Sequence, residues 1–231
     1  MSIDSQDPGL AGRRAALGRA SAAAVLVNVG GSAIRLVLQI VMARTLGVAA
    51  YGQFVLGRSW GELLARLPHQ GYETTAVKEL PAYERSGRFD LFRGLIRASM
   101  RTASVSAAAI TLIGCGGYAA LATDPDPVIL LGILLTGPLA LTHLIRALLQ
   151  GTHRFVIGSA LIELLHPVMF GLALAGLWVS GHLDAASALI AWGAAMAATA
   201  FAGHVVLRRS YSVEAANATP RESEGRWRAT R

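Results

Sequence analysis

"GRSWGELLARLPHQG", residues 57–71, places Arg58, Glu62 and Arg66 at four-residue steps in a chain that is otherwise strongly apolar. Whether this stretch crosses a membrane decides the fold, because every later segment changes side with it. Residues at i, i+4 and i+8 share one face of an α-helix. A charge at the centre of a membrane helix costs about 2.5–3.5 kcal/mol on insertion scales, so three facing lipid would cost on the order of 8–10 kcal/mol. A spanning helix must therefore turn this stripe towards a bundle interior or water.

The surrounding sequence is that of a membrane protein. Of 231 residues, 53% are hydrophobic and only 15% charged, and mean hydropathy is +0.47. Soluble domains carry about 25% charged residues. Runs near the ~20 residues that a crossing requires occur at 22–43, 51–72, 102–122, 128–150, 155–180 and 185–207. The expected fold is all-α and polytopic: six transmembrane helices over 22–207, a tail over 1–21 and a basic tail or linker over 208–231. Arg13, Arg14 and Arg19 resemble the basic start of a signal peptide. The run behind them is too long for one and contains Arg35, which predicts an uncleaved first span. Cys115 is the only cysteine, so no intrachain disulfide or cysteine metal cluster forms.

The basic residues orient the spans. With six crossings, 17 of the 21 Lys and Arg fall on one side, Arg44 alone falls on the other, and Arg35, Arg58 and Arg66 stay within spans. By the positive-inside rule the crowded side, with both termini, is cytoplasmic. If 51–72 only lay on the surface, the asymmetry would vanish, so this span is expected to cross. Tyr51, Tyr118 and Trp178 fall at outer span ends, where interfacial aromatics belong. The net charge of +7 follows this one-sided distribution rather than a nucleic-acid surface.

Other spans also carry polar stripes. Asn28, Ser32, Arg35 and Gln39 share a face of the first; His143, Arg146 and Gln150 lie near the end of the fourth; Ser159, Glu163 and His166 lie on the fifth. The sixth is nearly all Ala and Gly, which suits close helix contact. Polar stripes on several spans predict a bundle around a wet, cationic cavity, with Glu62 bridging its flanking arginines. Pro138 and Pro167 introduce kinks beside His143 and His166. Glu163 and His166 have the E-x-x-H spacing of carboxylate-bridged metal sites, but such sites need a second copy and two further glutamates. Glu62 is the only other acid within a span, so no metal or other cofactor is expected. "NAT", residues 217–219, matches a glycosylation acceptor by chance in a tail placed inside. No phosphate-binding glycine loop, nucleophile elbow or catalytic acid pair is present, so no enzyme activity is expected.

Three stretches resemble a known family. "ARTLGVAAYGQFVL", residues 43–56, resembles the junction of the first two helices of polysaccharide exporters, which read approximately "ar.LG...yG.f". "HQGYETTAVKEL", residues 69–80, resembles the end of their second helix, with the basic 85–101 region as the loop that follows. "RALLQGTHRFVIGSALIELLHPVMFGLAL", residues 146–174, resembles their fourth-to-fifth helix passage. The family is the lipid-linked oligosaccharide flippases of the O-antigen and teichoic-acid export type, in the superfamily of the MATE drug exporters. The resemblance spans about 27–207 and is carried by loop order more than by any single residue.

It implies a transporter that turns polyprenyl-pyrophosphate-linked sugars across the cytoplasmic membrane for polysaccharide or lipopolysaccharide biosynthesis. Arg35, Arg58, Arg66, Glu62, Gln39 and Asn28 would bind the head group, with Glu163, His166 and His143 as candidates for coupling or gating. Arginine forks suit phosphate oxygens. Family members have two six-helix lobes, so the implied unit is the N-terminal lobe. Its partners are the lipid-linked oligosaccharide, membrane lipid and a second lobe, supplied by a second copy or a C-terminal half, with "TPRESEGRWRATR", residues 219–231, as the linker. A MATE-like drug or ion antiporter and a non-transporting subunit of a polysaccharide assembly complex are the alternatives. Reporter fusions at Asp124 and Asp184 should read outside, and those at Ser86 and Ser212 inside. An outside signal at Ser86 would remove the second crossing.

Overall fold

The computed structural model describes the backbone of residues 8–69, 71–152 and 155–209. Its elements are α1 (Pro8–Ala65), a 3₁₀ turn (Leu67–His69), α2 (Tyr72–Arg85), α3 (Phe89–Leu121), α4 (Pro127–Leu134), α5 (Thr136–Gly151), α6 (Phe155–Ala160), a π-helical turn (Leu161–Leu165), α7 (His166–Val179) and α8 (Ala185–Arg209). No strand occurs among the described residues. Five helical stretches are long and apolar enough to cross a membrane: Val25–Ala65, Phe89–Leu121, Pro127–Gly151, Val156–Val179 and Ala185–Arg209. The chain is an all-α, multi-pass membrane protein.

The first stretch makes two crossings. Its 41 residues would reach about 60 Å as one straight helix, twice the ~30 Å hydrocarbon core. Gly47 breaks it, with φ 77° and ψ 167°, a conformation open essentially to glycine alone. Before the break, Gly31 lies against the backbone of Glu163 and Leu38 against Gly171, so this arm runs parallel to α6–α7. After it, Gly57 meets Val128 and Gly61 meets Gly132, so the second arm runs parallel to α4. α3 and α4 are antiparallel, with Asp126 N–H donating to the Tyr118 hydroxyl at 3.2 Å and Gly114 beside Ile133. α8 follows α4 and α5, pairing Leu135 with Gly193 and Ile145 with Gly203. Six alternating passes result.

Small residues set the helix spacing. A Cβ on Gly57 would come within 2.7 Å of the Val128 carbonyl, and one on Gly61 within 2.7 Å of the Gly132 carbonyl. Such backbone approach supplies the packing that a hydrophobic effect cannot supply within lipid. The Ala/Gly-rich α8 packs against α1, α4, α5 and α7 and buries Ala188, Leu189, Trp192, Gly193, Ala195, Thr199, Ala200 and Gly203. Asp184 caps its start, accepting from the Ser187 N–H at 2.7 Å while its own N–H donates to the Ser187 hydroxyl at 2.9 Å. The Ser187 backbone and hydroxyl hydrogen bonds hold the Asp184 carboxyl below its usual range.

Several expected boundaries are corrected. The second span is not helical over 51–72: α1 ends at Ala65, and Leu67–His69 is a 3₁₀ turn. Pro68 clashes with the carbonyl four residues back and disfavours helix at the preceding residue. Arg66 therefore stands at the helix end rather than on its face. The fourth span breaks at Leu135, where Pro138 withdraws the N–H that the Leu134 carbonyl would accept. The Thr136 hydroxyl donates to the Ile133 carbonyl there, at 2.6 Å. The polar stretch before the third span is no open loop. It contains α2, which packs Ala76 against Gly151 at the end of α5, and the first three turns of α3. Helix also reaches back to Pro8, into the expected N-terminal tail. Most of the 208–231 tail, including Asn217 to Thr219, lies outside the described residues.

Open space surrounds Gly47 on the side where a Cβ would stand, so its replacement probes the backbone alone. Gly47→Ala should destabilise the protein by about 1–3 kcal/mol. Gly52→Ala, at an equally open helical position, should be neutral or stabilise by up to about 1 kcal/mol. Thermal unfolding of both variants in mild detergent checks the contrast.

Candidate functional site

A cavity of about 320 Å³ lies between both arms of α1, α5, the α6–α7 pass and α8. Arg35 and Gln39 come from the first arm, Arg58 and Glu62 from the second, and Arg66 from its end. His143 and Arg146 come from α5, and Glu163 and His166 from the π-helical turn and the start of α7. Four arginines face two glutamates, an excess of two positive charges before the histidines are counted. Phe54, Phe170 and Trp192 supply apolar wall.

Glu163 is the most constrained polar group of the site, its side chain only 9% exposed. One carboxylate oxygen pairs with Arg35 of α1, and the other lies 3.9 Å from Arg146 of α5. The backbone beneath it has a local cause. Pro167 has no N–H for the Glu163 carbonyl, and its ring displaces that carbonyl from ordinary helix geometry. The helix widens into a π turn, closed by the His166 N–H on the Leu161 carbonyl. Gly31 leaves room for the displaced carbonyl, since a Cβ at that position would collide with the Glu163 oxygen. Single π turns of this kind recur at functional sites.

The second arm is organised around α8. Arg58 donates to Glu62 at 2.8 Å along one helix face, and its guanidinium lies 5.4 Å from the Trp192 ring centroid. Cation–π contact at that distance is favourable by about 0.5–2 kcal/mol. His166 meets Trp192 edge-on at 6.3 Å and stacks on Phe170 at 6.1 Å, and Phe54 stacks on Phe170 at 6.1 Å. Nε of Arg146 and Nε2 of His166 are buried without a hydrogen-bond partner. Buried polar atoms of this kind call for water or a polar ligand.

Most of the polar residues singled out in the sequence thus converge, whereas Asn28, Ser32, Gln150 and Ser159 do not line the cavity. Asn28 stands about two turns before Arg35, where the cavity begins on the first arm. Ser32 serves indirectly, accepting from Arg35 at 3.0 Å. Glu62 takes Arg58 as its partner, not a symmetric bridge between arginines. Trp192 is the contributor that sequence reasoning missed. It is the only tryptophan of α8, standing alone among Ala and Gly, and that isolation was the available signal.

No protein-family model, no curated protein and no solved structure matches this chain.

Removing the Glu163 charge strands two guanidinium groups. Glu163→Gln should lower stability by about 1–3 kcal/mol, below the 3–5 kcal/mol typical of a fully buried pair because Arg35 is partly exposed. Replacing Arg35 and Glu163 together with leucine should recover at least half of that loss. Thermal unfolding of the single and double variants in mild detergent measures the coupling.

Proposed function

We propose that this chain is one lobe of a transporter that flips polyprenyl-pyrophosphate-linked oligosaccharides across the cytoplasmic membrane, both termini facing the cytoplasm. The observation that carries the reading is the convergence of Arg35, Arg58, Arg66 and Arg146 on one cavity between apolar helices. An excess of fixed positive charge at that depth suits a polyanionic head group. Arginine forks bind phosphate oxygens in bidentate fashion, and pyrophosphate offers several such oxygens. No bond is made or broken in flipping.

The cavity's size divides the ligand. About 320 Å³ corresponds to the liquid volume of roughly ten waters, which suits a pyrophosphate and its first sugar. The remaining sugars require a wider state, and the polyprenyl tail remains in lipid. Arg66 is exposed, and the Arg35 side chain is 39% exposed, so on this reading a second lobe forms the facing wall. Rocking of two lobes about a midplane site is the general mechanism of repeat-built transporters. A cation antiporter fits less well: such a protein needs a free carboxylate, whereas Glu62 and Glu163 are each engaged by arginine.

The test is a flipping assay with fluorescent polyprenyl-pyrophosphate sugar in vesicles, using the chain together with the second lobe that co-purifies with it. Arg58→Ala and Arg66→Ala should each reduce flipping at least tenfold while leaving membrane insertion intact, and lysine should restore only part of it. The chain alone should not flip. Unchanged flipping in both alanine variants, or flipping by a monomer, would refute the proposal.

A further inference from the structure

A second concentration of arginines lies away from the central cavity, on the outer face between α3 and α8. Arg93, Arg97 and Arg101 step by four residues along α3, and His204 and Arg208 step by four along α8. Together with Ser104 they line a recess that includes no acidic residue among the described residues. Arg97, Arg101 and Arg208 are exposed. Isolated arginines at a membrane boundary are ordinary interfacial anchors. Two converging rows around a shared recess form a site for an anion.

The recess does not end at the charges. Ser104 also lines an adjoining groove that runs on along α3 past Ala107, Ala108 and Leu112 to Gly137 and Leu141 on α5. Apart from Ser104 and Thr111, every residue lining this groove is apolar. From Arg101 to Leu112 is eleven residues, about 16 Å of helix rise, or half of the ~30 Å hydrocarbon core. That is the depth of one leaflet. The arginines stand where the apolar run of α3 begins, at the level of lipid head groups.

We infer that this surface is a binding site for an anionic phospholipid, with the phosphate held by Arg97, Arg101 and Arg208 and one acyl chain lying in the groove between α3 and α5. The groove is what separates a lipid from a free phosphate: an inorganic anion would use the arginines and leave the apolar channel empty. Basic recesses between membrane helices bind acidic head groups on the same principle. The site is independent of whatever the central cavity carries, and an acidic leaflet would thereby hold α3 against α5 and α8.

The experiment uses the full chain in a mild neutral detergent. Phosphatidylglycerol, phosphatidylcholine with the same acyl chains, and inorganic phosphate are titrated separately. Binding is read by thermal unfolding and by the lipid retained in native mass spectra. Phosphatidylglycerol should raise the unfolding temperature and remain bound, whereas the other two should do neither. Arg97→Gln with Arg101→Gln should weaken phosphatidylglycerol by roughly 25-fold, about fivefold for each arginine removed, and the double lysine variant should retain most of the affinity. Ala108→Trp, at an exposed position on the groove, should weaken the lipid by blocking the acyl chain with every arginine intact. Equal retention of the two lipids would overturn the inference, as would a phosphate effect matching that of phosphatidylglycerol. If the glutamine variant fails to fold, the lipid comparison on the unaltered chain and the Ala108→Trp variant decide the matter.

Discussion

A carboxylate held between two guanidinium groups organises this bundle. Glu163 joins Arg35 of the first pass to Arg146 of the fourth, and none of the three could face lipid without a cost of several kcal/mol. The pairing therefore determines which face each helix turns inward. It depends in turn on two backbone details. Pro167 opens the π turn that displaces the Glu163 carbonyl, and Gly31 leaves the space into which that carbonyl fits. A larger residue at position 31 would push the first arm away and separate Arg35 from its partner.

The same economy of small residues brings the second arm into the site. Gly57 and Gly61 allow it to approach α4 at backbone distance, which places Arg58 over Trp192 and Glu62 on the cavity wall. Arg58 is thus fixed by a carboxylate along its own helix and by an aromatic face across from it. A guanidinium restrained in this way loses little further entropy on meeting a phosphate. On the proposed reading, the glutamates set the direction of the arginines and the excess positive charge meets the ligand. The aromatic stack of Phe54, Phe170 and His166 then walls off the apolar side.

Positive charge occurs at two depths, with different surroundings. Arg35, Arg58 and Arg146 of the central cavity each lie beside a carboxylate between five passes, whereas the described residues lining the recess on α3 and α8 include no acid, and that recess opens onto an apolar groove. On the proposed reading, arginines with compensating carboxylates suit a ligand that enters and leaves. On the inferred reading, a basic rim beside a leaflet-deep groove suits a lipid that stays.

The number of passes was legible in the sequence because the bilayer imposes its own ruler: a helix needs about twenty apolar residues to cross. Stripe membership was legible for a related reason. Periodicity of 3.6 is a local property, so Arg58 and Glu62 could be placed on one face, and Arg35 and Gln39 on another, without knowledge of any neighbour. Pro68, Pro138 and Pro167 were visible as well, although the 3₁₀ turn, the break at Leu135 and the π turn they produce depend on what packs around them. The partners of Glu163 could not be read. Arg35 lies 128 residues away in sequence, and their meeting depends on helix crossings set by Gly31, Gly57, Gly61 and Gly132. Asn28 was misplaced for the same reason: a face is periodic, but where a cavity begins along it is decided by the helix opposite. Trp192 joined the site only because α8 packs it against Arg58 of the second arm and His166 of α7. Local periodicity and the membrane's thickness were written in the chain, whereas contact between distant side chains was decided by backbone distances that only the folded bundle possesses.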